Sequence, residues 1–404
     1  MALLIDMKVL QLCNKPPFPP IDGGAMGINF ITQGLLAKGC TVKVLTVESD
    51  KHPVKQDAAM EEYRSHTGYE SVYVDLRVKV FPAMVAMLCG QSYHVQRYIS
   101  DAFATRLRQV LEQEQFDVVH VDSIFLTPYV PLIRKYSGAK VIMRAHNVEH
   151  LIWDRLAKSC DKPLKKWYLK HLSLTLRAYE LEHINDYDGV VCVTQIDADY
   201  FRANGYRMPM AVIPFGVRIP KLPQVEVEPD SLFHIGAMDW LPNQESVRWL
   251  LEDIWPVVHA EVPQAKLYLA GRKMSESLMK TQVEGVSVLG EVPDALCFIG
   301  SKKINVVPLL SGSGIRVKII EAMSVGKTVI TTTVGAEGIE YTDGENLLIA
   351  NTPQEFAKQI KRCLEDDGFC RRVGKAAERL VADRYDEDKL AEKLLNFYNE
   401  RIEI

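Results

Sequence analysis

The densest chemistry in the chain lies in the run P-L-L-S-G-S-G-I-R-V-K-I-I-E-A-M, from Pro308 to Met323. Ser311, Gly312, Ser313 and Gly314 form a donor-rich loop between a strand pattern and a helix pattern, and Arg316 and Lys318 fall in the first helical turn. Backbone N–H groups, a helix N-terminus and one or two cations suit a phosphate. Cations in a first turn oppose the macrodipole, a cost that a bound anion offsets. Glu321 sits among Ile319, Ile320, Ala322 and Met323, which places it on or near a buried face. A buried carboxylate needs hydrogen bonds, and the vicinal hydroxyls of a ribose supply them. A surface ion pair from Lys318 to Glu321 at i, i+3 is the plainer alternative.

A second glycine cluster, P-I-D-G-G-A-M-G from Pro20 to Gly27, follows the first strand pattern and opens a helix. Gly23 and Gly24 let a phosphate or sugar approach the backbone, although a tight turn with no ligand explains them equally well. The cluster is not G-x-G-x-x-G, and no acidic residue closes a second strand at the right place, so a nicotinamide cofactor is not indicated. His120 in V-V-H-V-D and His146 in R-A-H-N-V-E-H both stand at strand ends, where ligand-facing residues belong. His146, Glu149 and His150 lack the H-E-x-x-H spacing and have no evident third partner, so zinc is not expected. Asp197 and Asp199 spell D-x-D, but in a helix's first turn, where acids are favoured anyway. Val325-Gly326-Lys327-Thr328 ends a helix and starts a strand, the inverse of a P-loop, with Glu321 where the first glycine belongs.

The elements that must position these residues alternate. Apolar runs at Val9–Leu12, Val42–Val47, Asp117–Val121, Lys140–Arg144 and Gly189–Val193 read as strands, with helices such as Gly27–Lys38 between them. After a pause from Arg218 to Asp230 that contains Pro220, Pro223 and Pro229, the rhythm restarts. Its strands are Leu232–Ile235, Ala265–Ala270, Val286–Leu289, Ile304–Pro308 and Thr328–Thr333, with helices at Gln244–Val258 and Ile315–Val325 and a last one near Glu387–Glu400. This is an α/β chain of two doubly wound parallel sheets, whose ligands bind at the carboxyl ends of the strands.

Composition agrees with that reading. The chain has 404 residues, 47% apolar and 25% charged, values of an ordinary globular protein of two to three domains. A net charge of −4 argues against a dedicated nucleic-acid binder. The first 218 residues carry 26 Lys and Arg against 23 Asp and Glu, and the rest 22 against 29, so the basic half comes first. Lys158 to Arg177 is a basic amphipathic stretch with aromatic residues, suited to an anionic membrane face or simply to a solvated helix. No run reaches the 18 or so apolar residues of a membrane span; Val80–Cys89 is the most apolar outside the strands. Residues 1–6 read as an appended leader without the features of a secretory signal. Eight cysteines without a C-x-x-C pair, with Cys13, Cys192 and Cys297 in apolar settings, imply reduced, buried thiols and a cytoplasmic protein.

Over nearly its whole length the chain resembles the retaining glycosyltransferases of family four, which have the GT-B fold. The resemblance rests on G-G-A-M-G, V-V-H-V-D, A-H-N-V-E-H, V-C-V-T-Q-I-D-A-D, V-I-P-F-G-V, G-A-M-D-W-L-P-N and S-G-S-G-I-R-V-K-I-I-E-A-M-S-V-G-K. It implies two Rossmann-like domains facing a cleft: residues 1–218 for the acceptor, 219–385 for a nucleotide-sugar, and a C-terminal helix, 386–404, packing back on the first domain. Glu321 matches the second glutamate of the family's E-x7-E element, which holds the donor ribose, while Ser313 stands where the first glutamate would be. The family's diphosphate-binding Arg/Lys pair is absent from G-A-M-D-W-L-P-N-Q, leaving Arg316, Lys318 and Arg272 as the cations.

The reaction implied is retaining hexosyl transfer without metal or cofactor. Arg316, Lys318 and His146 would act on it. Gly24, Gly236, Arg272, Ser311, Gly312, Ser313, Gly314 and Glu321 would hold the donor, and Gly23, His120, Asn147 and Glu149 would lie on the acceptor side. The acceptor would be a glycan or lipid-linked molecule in cell-surface polysaccharide synthesis, with no nucleic-acid partner. A sugar-nucleotide epimerase of the same fold, or a catalytically silent nucleotide-sugar binder, remains open.

Overall fold

The fold is taken from a computed structural model that describes residues 7–21, 23–158, 160–218, 225–311 and 315–402. The leader at residues 1–6, much of the Pro-rich stretch and Gly312, Ser313 and Gly314 lie outside the described residues. The chain separates into two compact units, one holding the residues up to Phe215 with those from Leu390 onward, the other Gly216–Lys389.

Seven strands build the first unit: β1 Lys8–Cys13, β2 Thr41–Glu48, β3 Glu70–Tyr73, β4 Val118–Asp122, β5 Lys140–Ala145, β6 Gly189–Cys192 and β7 Met210–Val212. They pair in parallel in the order β3-β2-β1-β4-β5-β6-β7. Six more build the second: β8 Ser231–Ile235, β9 Lys266–Ala270, β10 Val286–Gly290, β11 Ile304–Val307, β12 Thr328–Thr331 and β13 Leu348–Ile349. Their order is β10-β9-β8-β11-β12-β13, again parallel. In both sheets the order reverses beside the first strand, between β1 and β4 and between β8 and β11, and such a switch point opens a crevice at the carboxyl ends.

The central strands are the apolar runs read from sequence, because both faces of a parallel sheet are covered. β3, β7 and β13 escape that reading: they are short or half-buried edge strands with no continuous apolar run. Helix boundaries differ as well. The first helix spans Gly23–Ala37, so the glycine cluster lies inside it. The helix expected over Gln244–Val258 is Leu241–Trp249, continued through a π-helical turn, Leu250–Ile254, into Trp255–Glu261.

From Leu390 onward the last helix, Glu387–Ile402, belongs to the first unit's core. Leu390, Leu394, Phe397 and Tyr398 are buried with Val9, Ile28, Leu35 and Val191. All eight cysteines are free thiols; Cys13 and Cys192 are buried, whereas Cys297 is half-buried with its Sγ 3.2 Å from the Asp294 carboxylate rather than in an apolar setting.

Candidate functional site

In the first unit the switch point is built around Asp122, the last residue of β4, which is fully buried. Gln11 of β1 donates through Nε2 to Asp122 Oδ2 at 2.8 Å, and Thr32 of the first helix donates to Gln11 Oε1 at 2.7 Å. The ring of His146, just past β5, lies with Nε2 3.1 Å from Asp122 Oδ1. Burial alone would raise the Asp122 carboxyl, but His120 and His146 more than offset it and hold it below the usual range. Burial pushes His146 below its ordinary value, so the ring is neutral at pH 7. An ionised Asp122 accepts a hydrogen bond from Nε2–H of that neutral ring, which leaves Nδ1 as the accepting nitrogen; no hydrogen-bond partner reaches it among the described residues.

Phe215 stacks on His146 with ring centroids 6.1 Å apart. A Cβ on Gly27 would stand 2.0 Å from Phe215 Cε1, so this glycine is required for the packing that seats His146. Gly23 and Gly24 form the first turn of the same helix, and a Cβ on Gly23 would meet open space.

His120 is a correction. It stands on the same β4 face as Asp122, but it is fully buried and its Nδ1 lies 2.5 Å from the Tyr398 hydroxyl. It ties β4 to the last helix rather than facing an acceptor. Two charged neighbours have no place in the sequence reading. Arg144, two residues before His146 and therefore on its face of β5, is fully buried with its guanidinium 5.9 Å from the Phe215 ring, and burial pushes it down to about 10. Glu180 is buried and caps the helix Glu149–Lys158 from outside, accepting from the N–H of Glu149 at 3.1 Å and lying 2.6 Å from His150 Nδ1. Burial, then the Glu180 charge, pushes Glu149 up to about 7, while a hydrogen bond from Asn147 works against the shift. Glu149 and Asn147 are half-buried.

In the second unit the loops after β8 and β11 flank the switch point. Gly271, at φ +146°, allows the loop after β9 to close on the loop after β8, since a Cβ there would stand 1.9 Å from the carbonyl oxygen of Gly236. Asn243 donates to the Ala237 carbonyl at 2.8 Å and accepts from Lys318 Nζ at 2.7 Å. Ser311 donates to Glu245 Oε2 at 2.6 Å. The helix expected from Ile315 begins at Val317, and Arg316 is its N-cap at φ −86°, ψ 86°. That non-helical residue takes Arg316 out of the regular helix that carries Lys318. Arg316 is buried with its guanidinium 5.9 Å from the Trp240 ring and the charge of Glu337 in its favour. Burial, then the Arg316 charge, pushes Lys318 down to about 7.

Glu321 is turned by helical rotation off the face of its four buried apolar neighbours and reaches solvent, yet its surroundings still enclose the carboxyl enough that burial pushes it above its ordinary value. Lys318 turns to Asn243, not to Glu321. Arg272 is exposed on the loop after β9, where its carbonyl accepts from Met238 N.

The motifs set aside from sequence have structural work. Lys327 donates to the carbonyls of Gly300 and Lys302, each at 2.7 Å. Asp197 pairs with its own helix cap, Thr194, and Asp199 with Gln195. Among the described residues no three His, Cys, Asp or Glu side chains gather to hold a metal.

The fold is shared with solved proteins. Anabaena HepE in complex with UDP superposes with a TM-score of 0.67 at 15% identity, covering 98% of this chain and 100% of that one. Sucrose-phosphate synthase from Thermosynechococcus elongatus gives 0.66 at 15% identity over 97% and 98%. At these identities the likeness establishes the fold. In sequence, the Glycosyltransferase Family 4 model matches residues 21–219 and the Glycosyl transferases group 1 model matches residues 229–366. The chain is a GT-B glycosyltransferase. This glycosyltransferase is also 22% identical, over 398 residues, to an uncharacterized 44.6 kDa protein in the cps region of Klebsiella pneumoniae, covering 95% of this chain and 97% of that one. No helix among its described residues is long and apolar enough to cross a membrane.

Proposed function

We propose that this glycosyltransferase moves a hexosyl unit from a nucleotide-sugar to a glycan or lipid-linked acceptor, with retention of the α configuration and without metal, in the cytoplasmic assembly of a cell-surface polysaccharide. The observation that carries the reading is a pair of cations at the carboxyl edge of the second sheet: Arg316 is buried beside the Trp240 ring, Lys318 is held by Asn243, and burial together with the Arg316 charge disfavours the Lys318 ammonium. A diphosphate is the ligand that relieves their repulsion. In the reaction the bond from the anomeric carbon to the diphosphate oxygen breaks while the acceptor oxygen bonds to that carbon on the same face. The acceptor's proton passes to the departing diphosphate. Charge on the diphosphate grows in the transition state, which is where fixed cations act. Glu321 accepts from the ribose hydroxyls, and Ser311, Gly312, Ser313, Gly314, Gly24, Gly236 and Arg272 complete the donor side. His146 offers Nδ1 to a sugar hydroxyl, and Gly23, Asn147 and Glu149 lie on the acceptor side.

The UDP bound by the Anabaena relative and the cps region of the Klebsiella one favour a nucleotide donor and a polysaccharide product. Lys158 to Arg177 would rest on the inner face of the membrane. The test is incubation with labelled UDP-, GDP- and ADP-sugars and a glycan or lipid-linked acceptor, with the anomeric configuration of product and donor compared by NMR. A retained product supports the reading. Release of an epimerised free sugar, or donor affinity with no turnover in any mixture, overturns it.

A further inference from the structure

The helix Val80–Leu88 turns its large side chains outward. Val80, Phe81 and Leu88 are 74%, 75% and 80% exposed, with Val78, Met84 and Val85 exposed beside them. Its buried residues are the small Ala83 and Ala86, which pack with Tyr93 and Leu172 and against Trp153 and Tyr168. Six large apolar side chains on one short segment form a contiguous patch, unlike the single exposed residues normal on a surface.

The charges around the patch select its occupant. Arg77 and Lys79 beside the patch pair with Asp75 at 2.8 and 3.0 Å, and from there to Asp101 Arg97 is the one further charge. Trp153, Tyr168 and Leu172 seat this helix on the helices Glu149–Lys158 and Pro163–His183. From Arg155 to Tyr179 that hairpin carries seven Lys and Arg against one Asp. Lys158 and Lys170 hold Asp154 at 2.7 and 2.6 Å, and Lys162, Lys165 and Lys166 are exposed. Leu164 and Trp167 stand exposed among those lysines. A second copy of the chain would bring like charge against like. An anionic bilayer matches both parts: acyl chains for the apolar side chains, headgroups for the lysines and the interfacial level for the tryptophan.

We propose that the helix Val80–Leu88 embeds in the surface of an anionic bilayer, with Lys162, Lys165 and Lys166 on the headgroups. This rests on the basic contact proposed above and names the element that enters the lipid. The patch helix packs on Trp153 of the same helix, Glu149–Lys158, that begins with Glu149 of the acceptor side.

The experiment is co-sedimentation of the full chain with phosphatidylglycerol vesicles and, separately, phosphatidylcholine vesicles. The wild type is expected on phosphatidylglycerol. Phe81→Glu with Leu88→Glu lowers that binding at least about 10-fold with an unchanged melting temperature, and the milder serine pair lowers it less. Lys162→Glu with Lys165→Glu and Lys166→Glu also lowers it and removes the preference for anionic lipid. If the lysine variant loses binding while the Phe81/Leu88 variants keep it, the basic contact stands and the embedding is overturned. A wild type that binds neither vesicle overturns both. If the glutamate pair instead converts a dimer to a monomer in sedimentation velocity without changing vesicle binding, the patch serves a second copy and the embedding is overturned.

Discussion

The carboxyl edges of the two sheets treat the charges around Asp122 and around Arg316 differently. In the first unit the Asp122 carboxylate is matched by Gln11 and His146, and Gln11 in turn by Thr32. That network is a complete orienting device: it fixes a ring and chooses which nitrogen accepts. In the second unit two cations share one place with a neutral amide and an indole ring, with Glu337 as the opposing charge acting on Arg316. The cost appears in Lys318, which burial first and the Arg316 charge second push down to about 7. One edge positions a group, while the other keeps like charges together in readiness for an anion. A hydrogen-bonded network transmits orientation, and two neighbouring cations favour an anionic ligand.

This contrast orders the expected effects of substitution. The largest belongs to Arg316→Ala, which lowers kcat by about 10²–10³-fold at saturating donor, as loss of one preorganised transition-state donor does elsewhere. Steady-state kinetics check it, and a near-normal kcat would break the contrast on the cation side. Next, Glu321→Ala weakens nucleotide-sugar binding on the order of 10²-fold, since each hydrogen bond to a charged group is worth roughly 1.5–3 kcal/mol. Equilibrium titration of the folded variant with unchanged affinity would remove Glu321 from the donor side.

Asp122→Asn acts through His146 and leaves donor affinity alone. It lowers kcat roughly 10-fold. The carboxylate raises the His146 pKa against burial and the nearby Arg144 charge, so the acid limb of the pH–rate profile moves to lower pH in the variant. A loss of activity with an unmoved limb would make the Asp122 network purely structural. The smallest effect is none: EDTA leaves turnover intact, and loss of activity restored by manganese would give the acid pair Asp197 and Asp199 a role that its capping bonds do not suggest.

Legibility in the sequence followed burial. Central strands covered on both faces were plain as apolar runs. Edge strands such as Leu348–Ile349, two residues long, leave no periodicity to read. The cations and Glu321 were legible as types, but not their directions. Arg316 is an N-cap rather than a helical residue, and Glu321 turns off the face of its apolar neighbours. Partners distant in sequence stayed hidden: Asp122 is 111 residues from Gln11, and Glu180 is 30 from His150. The alternation V-V-H-V-D does place His120 and Asp122 on one face. Nothing in it says which of them Tyr398, 278 residues from His120, would engage.

The central claim is that a diphosphate neutralises the Arg316–Lys318 pair, and it has a direct calorimetric signature. Without ligand, Lys318 is largely neutral at pH 8, one unit above the value of about 7 to which burial and Arg316 push it. A bound diphosphate restores the ammonium, so binding takes up a proton, and affinity falls by up to tenfold per pH unit as the pH rises above 7. Titration of the wild type with the nucleoside diphosphate at pH 8, in two buffers of different ionisation enthalpy, should show uptake of about one proton. Lys318→Met should bind more weakly and take up none. Tight binding with no proton uptake in the wild type, or unchanged uptake in Lys318→Met, would contradict the account.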